Sequence, residues 1–220
     1  MELTDLIDLI YATTNPAKLA SMAGMLSPLG IVLNGLPQGV DFPAIAENGQ
    51  CPRENALLKA MVYYSILRKP LFSCDSGLYI EGLPPGSQPG VHVRRVDGRS
   101  LDDKEMIAHY SSLAAGLGGR ARAHYQNAVC LVTEGGRVHR HDGPELAGKA
   151  FWLVDKPHDR RVPGFPLDSL SVHIASGKYY YDLAEEAVED GAMAEGFRQF
   201  FREALAAKER YYIHSFFSLQ

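Results

Sequence analysis

The 220-residue sequence predicts an α/β fold built on a mixed β-sheet flanked by helices. Two observations carry that expectation: apolar runs alternate with helical periodicity through the first half of the chain, and later strands pair off as hairpins around glycine turns.

Leu6, Ile7, Leu9 and Ile10 read as the first strand. Tyr11-Ala12-Thr13-Thr14-Asn15-Pro16-Ala17-Lys18 ends it and opens a helix. Asn15 suits the N-cap and Pro16 the first helical position, so the unpaired amides of the first turn, with Lys18 one turn in, form an anion site. Leu19, Met22, Met25, Leu26 and Leu29 continue at helical spacing, and Ile31 to Leu33 read as a second strand. A turn-rich stretch, 34–53, precedes a helix at 54–68 that starts after Pro52. Its Asn55 and Lys59 are four residues apart on one face, which can hold an anion. Two short strands, 71–74 and 78–81, then place an acid, a hydroxyl and a glycine (Asp75-Ser76-Gly77) at a strand end, where α/β folds put chemistry.

A Pro/Gly-rich loop follows from Pro84 to Gly90. Asp102 to Leu117 reads as a helix with Asp102 near its cap, and Ala123–Thr133 with Arg137–His141 as a hairpin around Glu134-Gly135-Gly136. The C-terminal half is less regular until an amphipathic helix from Met193 to Lys208. The aromatic tail Tyr211-Tyr212-Ile213-His214-Ser215-Phe216-Phe217 alternates enough to be an added strand, with a dimer contact or a lid as its use. There is no repeat or linker, so the chain reads as a single domain, 1–220, with an aromatic extension at about 209–220.

Composition narrows the function. A net charge of −4 gives no global attraction to nucleic acid, so a phosphate site must be locally basic. Cys51, Cys74 and Cys130 show no C-x-x-C spacing, which suits a reducing compartment and argues against a zinc ribbon or a disulfide scaffold. The acidic start and the short apolar run behind it resemble neither a signal peptide nor a membrane span. A cytoplasmic enzyme with no nucleic-acid or membrane partner is expected.

Four ordered motifs resemble those of the noncanonical purine nucleoside triphosphate pyrophosphatases, the inosine triphosphatase-like family. Its T-x-N-x-x-K is matched by Thr13 to Lys18, its E-N-A-x-x-K-A by Glu54 to Ala60, its D-D-S-G-L by Cys74 to Leu78, and its P-G with a following arginine by Pro89-Gly90 and Arg95. The resemblance implies an elongated sheet in two lobes around a nucleotide-binding cleft, a homodimer, and Mg²⁺, with Mn²⁺ as a substitute. It further implies that the enzyme cleaves a nucleoside triphosphate, the small-molecule partner, to the monophosphate and pyrophosphate. By the same match, Asp75 is the catalytic base and a metal ligand, with Glu47 as a second ligand. Thr13, Thr14, Asn15, Lys18, Asn55, Lys59, Ser76, Gly77 and Arg95 contact the phosphates and the nucleotide, while Phe165 and Asp168 lie at the base.

The sequence also departs from that pattern. Ala46 and Cys74 stand where the family carries acids, so weaker Mg²⁺ binding or a shift toward softer ions is expected. Cys74 reads as a buried structural cysteine, since no base is visible beside it. Gly164-Phe165-Pro166-Leu167-Asp168-Ser169 keeps only part of the family's G-F-G-Y-D-P, and its purine-contacting S-H-R has no counterpart near Gly191-Ala192-Met193-Ala194. Phe165 is open to two readings, a stacking surface for a base or a core aromatic. Weak selectivity for inosine or xanthine follows, and loss of two acids leaves a non-catalytic nucleotide sensor as the alternative. Removing either lysine is expected to weaken nucleotide binding and leave the ligand-free fold unmoved. His139 and His141 share a strand face that is solvated unless a third metal ligand joins them. Arg160 and Arg161 belong to a mixed-charge loop.

Overall fold

The computed structural model describes residues 6–183 and 191–217, and the side chains of those through 206. Strand β1 (Ile7–Tyr11) runs into helix α1 (Pro16–Leu26), which tightens through a short 3₁₀ turn (Ser27–Leu29) into β2 (Ile31–Asn34). Gly30 makes that exit in the left-handed region, φ 69°. Helix α2 (Pro52–Leu67) precedes β3 (Leu71–Ile80), and the small hairpin β4 (Arg95–Val96) and β5 (Arg99–Ser100) precedes α3 (Asp103–Gly116). The chain continues through β6 (Arg120–Val132), β7 (Val138–His141), β8 (Phe151–Val154), β9 (Ser171–Val172) and α4 (Gly191–Phe217).

Among the described residues, seven strands form the main sheet in the order β2-β1-β3-β6-β8-β9, with β7 also paired to β6. β1 is parallel to β2 and β3, and the pairs from β3 onward are antiparallel. The expected mixed sheet flanked by helices is therefore present. Two strands expected at 71–74 and 78–81 are instead one continuous strand. The ladder with β6 runs unbroken from Leu71↔Val132 to Ile80↔Ala123, and Gly77 keeps its place in it. Asp75 accordingly sits in mid-strand opposite Ala128, not at a strand end.

The long strands β3 and β6 link separate apolar cores. One joins Leu9, Leu26, Phe72, Leu131 and Phe201 on the α1/α4 face, with a companion cluster of Ala56, Ala60, Leu71 and Val132 under α2. The other gathers Leu78, Ile80, Met106, Tyr110, Phe151 and Leu170 beneath α3. Asp75, Ser76 and Gly77 lie on β3 between the two. Helix α4 begins two residues before its expected start, and its backbone stays helical through Phe217, which overturns the strand expected for the aromatic tail. The alternation of Tyr211 to Phe217 is local, and an established helix propagates more readily than an unpaired strand forms. No helix of the described residues is long and apolar enough to cross a membrane.

Candidate functional site

β1 stops pairing with β3 at Tyr11↔Phe72, and Ala12 N–H makes a last bond to the Phe72 carbonyl at 2.8 Å. The chain then turns into α1, which leaves room beside the middle of β3. Such a departure of parallel neighbours is where open α/β sheets hold ligands. Strand periodicity next divides the β3 side chains between two faces. Ser73 and Asp75 face α2, where the Ser73 hydroxyl donates to the Ala56 carbonyl. Cys74 faces the α1 side, packed against that core near the Tyr11 hydroxyl. The Ser76 hydroxyl donates to Asn127 Oδ1 at 2.7 Å, on the face away from Asp75.

Asp75 is the centre of a polar cluster. It is 7% exposed; Lys59 Nζ lies 2.6 Å from its Oδ1, and Asn55 Nδ2 donates to its Oδ2 at 3.2 Å. The i, i+4 pair expected to hold an anion thus holds the protein's own carboxylate. Lys59 also reaches Glu47 Oε1 at 3.4 Å, so one ammonium joins the two expected metal-binding acids. Asn55 is fully buried, and its Oδ1 accepts the Gly49 N–H at 2.8 Å, fixing the loop that carries Glu47. A Cβ at Gly49 would fall 2.6 Å from Asn55 Oδ1, so only glycine lets that loop pass.

The two lysines are tuned in opposite directions. Burial pushes the Lys59 ammonium down, but the carboxylates of Asp75 and Glu47 outweigh it and hold its pKa above the usual lysine value. Burial also lowers Lys18, the Lys59 charge lowers it further, and the more distant acids do not make up the difference. Lys18 forms no ion pair among the described residues, so a positive charge is held in a partly buried place without a direct counterion. An incoming anion would supply one. Cys74 is pushed up to about 12 by burial against the pull of both lysines, so the thiol stays protonated at neutral pH. It is not an activated nucleophile, in keeping with a buried structural cysteine.

Asn15 caps α1 as expected, its Oδ1 accepting from Ala17 N at 2.9 Å and Lys18 N at 3.3 Å. Thr13 Oγ1 accepts the Asn15 N–H at 3.2 Å, and Thr14 is exposed. Arg95 Nη1 donates to the Glu47 carbonyl at 3.3 Å, which brings it to the rim. Gly77 lies at a close approach: a Cβ there would lie 3.3 Å from the Gly90 carbonyl, and Gly90 bridges to Leu78.

The segment carrying Phe165 and Asp168 joins this cluster through Gly164, whose carbonyl accepts from Asn15 Nδ2 at 3.2 Å. Gly164 has φ +86°, and a Cβ would lie 2.8 Å from Asn15 Oδ1. Phe165 is half-buried. The Asp168 carboxylate lies close enough to the Tyr125 and Tyr181 hydroxyls to help raise both, after burial. Elsewhere, His141 pairs with Glu145, and Arg160 lies 5.0 Å over the Tyr181 ring. No group of three or more His, Cys, Asp or Glu able to hold a metal occurs among the described residues.

Tyr11, Asn127, Gly49 and Asp103 support the site but were not singled out from the sequence. Asn127 could be found only through the β3–β6 register, which sets it opposite Ser76.

The Ham1 family model matches residues 9–152 of this chain. A dITP/XTP pyrophosphatase from Geobacter sulfurreducens is 32% identical over 180 residues, covering 81% of this chain and 86% of that protein. Another from Symbiobacterium thermophilum is 31% identical over 179 residues, covering 81% and 84%. Among solved structures, a HAM1 protein from Coxiella burnetii aligns with a TM-score of 0.67 at 23% identity, covering 90% of this chain and 99% of that one. The Staphylococcus aureus Ham1 protein aligns at 0.64 and 20%, covering 90% and 98%; these two likenesses speak for the fold alone. With a matched segment that contains Lys18, Lys59 and Asp75, and with that fold, the chain belongs to the Ham1 family.

Proposed function

We propose that this chain hydrolyses a purine nucleoside triphosphate bearing a noncanonical or modified base, of the dITP or XTP kind, to the monophosphate and pyrophosphate. As a Ham1 family member with dITP/XTP pyrophosphatases at 31% and 32% identity over most of its length, it is a hydrolase acting on nucleoside triphosphates. The observation that carries the reading is the Lys59 ammonium between Asp75 and Glu47, beside the capped start of α1 and the uncompensated Lys18.

In this reading the triphosphate lies along the α1 N-terminus, its charge met by Lys18, the first-turn amides and Lys59, with Arg95 at the rim. Water bonds to phosphorus as the α–β bridge breaks, Asp75 takes the water's proton, and pyrophosphate leaves with the bridging electrons. Asn55 and Lys59 fix the Asp75 carboxylate, so little reorganisation is needed when the proton arrives.

The hard carboxylate oxygens of Asp75 and Glu47, which lie on either side of Lys59, suit Mg²⁺, with Mn²⁺ as a substitute. Asp75 and Glu47 would hold the ion with phosphate oxygens and waters. Bound there, it would neutralise phosphate charge and lower the pKa of a coordinated water. Phe165 stacks on the base and Asp168 stands at its edge. The enzyme works as a homodimer, in keeping with Leu58, Met61 and Ile66 exposed on α2, and in the cytoplasm, in keeping with its three free cysteines. A pyrophosphate-release assay over inosine, xanthine, adenine and guanine triphosphates, with and without Mg²⁺, tests the reading. No release from any of them would overturn it.

A further inference from the structure

Asp103 stands at the first position of α3, where an acid would ordinarily serve only the helix dipole. Here its two oxygens do separate work. Oδ1 takes Arg94 Nη2 at 2.7 Å, and Oδ2 accepts the Gly164 N–H at 2.9 Å. Arg94 is itself anchored by donating from Nη1 to the Leu101 carbonyl at 3.0 Å. Across Gly164 the chain of bonds continues, carbonyl to Asn15 Nδ2, and Asn15 caps the helix that carries Lys18. One residue, through its N–H on one side and its carbonyl on the other, thus ties the start of α3 to the start of α1, and Phe165 comes next.

We infer that Asp103, held by Arg94, is a positioning residue that sets the Phe165 loop against the phosphate helix and so makes base contact contribute to nucleotide affinity. This rests on the proposed stacking of Phe165 on the base. The two ends of the relay differ in what depends on Asp103. Asn15 keeps its bonds from Ala17 and Lys18 whatever happens at α3, so the phosphate side retains its cap. Gly164 N–H has Asp103 as its partner, and without that bond the loop before Phe165 keeps only the packing of Leu167 and Leu170 beneath α3.

Calorimetric titration with two products, inosine monophosphate and pyrophosphate, separates the roles because only one carries a base. Asp103→Ala is expected to weaken inosine monophosphate about tenfold, the lower end for a charged hydrogen bond, since the side chain is 39% exposed, and to leave pyrophosphate within about twofold. Asp103→Asn, which keeps an oxygen for Gly164, should fall between wild type and Asp103→Ala. Equal weakening of both products would reduce Asp103 to a structural part, and no weakening of either would remove it from the relay. Phe165→Ala separates this inference from the reading beneath it. If that variant weakens inosine monophosphate and Asp103→Ala does not, the relay fails alone. If it leaves inosine monophosphate unchanged, the base contact fails and the relay with it.

Discussion

The phosphate side and the base side of the site are built differently. Lys18, Asn55, Lys59 and Asp75 come from α1, α2 and β3, whose positions are set by backbone ladders and apolar cores. Phe165 and Asp168 come from a 3₁₀ segment, anchored by Leu167 and Leu170 in the α3 core, and from the loop before it, which individual bonds through Gly164 tie down. Rigid elements hold charges where a reaction needs them, whereas a tethered loop can change what it contacts without disturbing the fold. The family model matches the stretch that carries the first side and ends at residue 152, before Phe165 and Asp168.

The largest expected effect breaks the phosphate side at its centre. Asp75→Asn preserves size and should leave the fold intact while lowering kcat by at least about 10²-fold, as for loss of a positioned base. Near-normal turnover with unchanged metal dependence would remove Asp75 from catalysis.

The two lysines sharpen the comparison within that side. Either Lys→Met change should weaken nucleotide binding by roughly 1.5 to 3 kcal/mol, the range for hydrogen bonds to charged groups. Their effects on the ligand-free protein should diverge, contrary to the expectation from sequence that neither matters there. Lys59→Met leaves the buried Asp75 carboxylate without its cation and should cost roughly 3 kcal/mol. Lys18→Met removes an ammonium that burial disfavours and should leave the melting temperature unchanged or raised. Thermal melts of both variants showing equal losses would contradict this assignment of roles.

On the base side, Phe165→Ala should raise KM for the nucleotide about tenfold if a ring stacks there, within the range for one base on one aromatic, and change kcat little. Selectivity should be correspondingly soft. With Leu167 buried at the family's tyrosine position and no S-H-R, the preference in kcat/KM for inosine triphosphate over ATP or GTP should stay well below the roughly 10⁴-fold that a hydrogen-bonding pocket gives. A strong preference would mean that other residues read the base.

The smallest effect is a pH dependence. Lys59 has its pKa raised by folding, so its stabilisation is complete below the ordinary lysine value of about 10.4 and is lost as pH rises through the higher folded value. Lys18 works the other way, its penalty relieved as pH rises past its lowered value. Wild type should therefore lose stability in the alkaline range more steeply than Lys59→Met. Parallel alkaline melting curves would argue that Asp75 and Glu47 do not hold Lys59.

Much of the first side was legible because its signals are local. The Asn15-Pro16 helix start, the Asn55/Lys59 spacing and the Asp102 cap all depend on residues within a turn of one another, and all three are present. The tail read as a strand for lack of any local rule against it, while the helix already running from Gly191 decides otherwise. β8 and β9 were not read from the sequence, since Ser171–Val172 is a strand only because β8 lies beside it.

By itself the sequence determined which groups are available: two lysines, the acids Glu47 and Asp75, Ala46 and Cys74 where further acids were expected, and a glycine before Phe165. Tertiary structure decided what each group does. It set Lys59 against Asp75 and left Lys18 without a direct counterion. It buried Cys74 so that its thiol keeps its proton, and joined Asp103 to Asn15 through Gly164. The physical reason is that helix starts and residue spacings are fixed over a few bonds, whereas charge pairing and desolvation depend on which distant segments share a few ångströms of space.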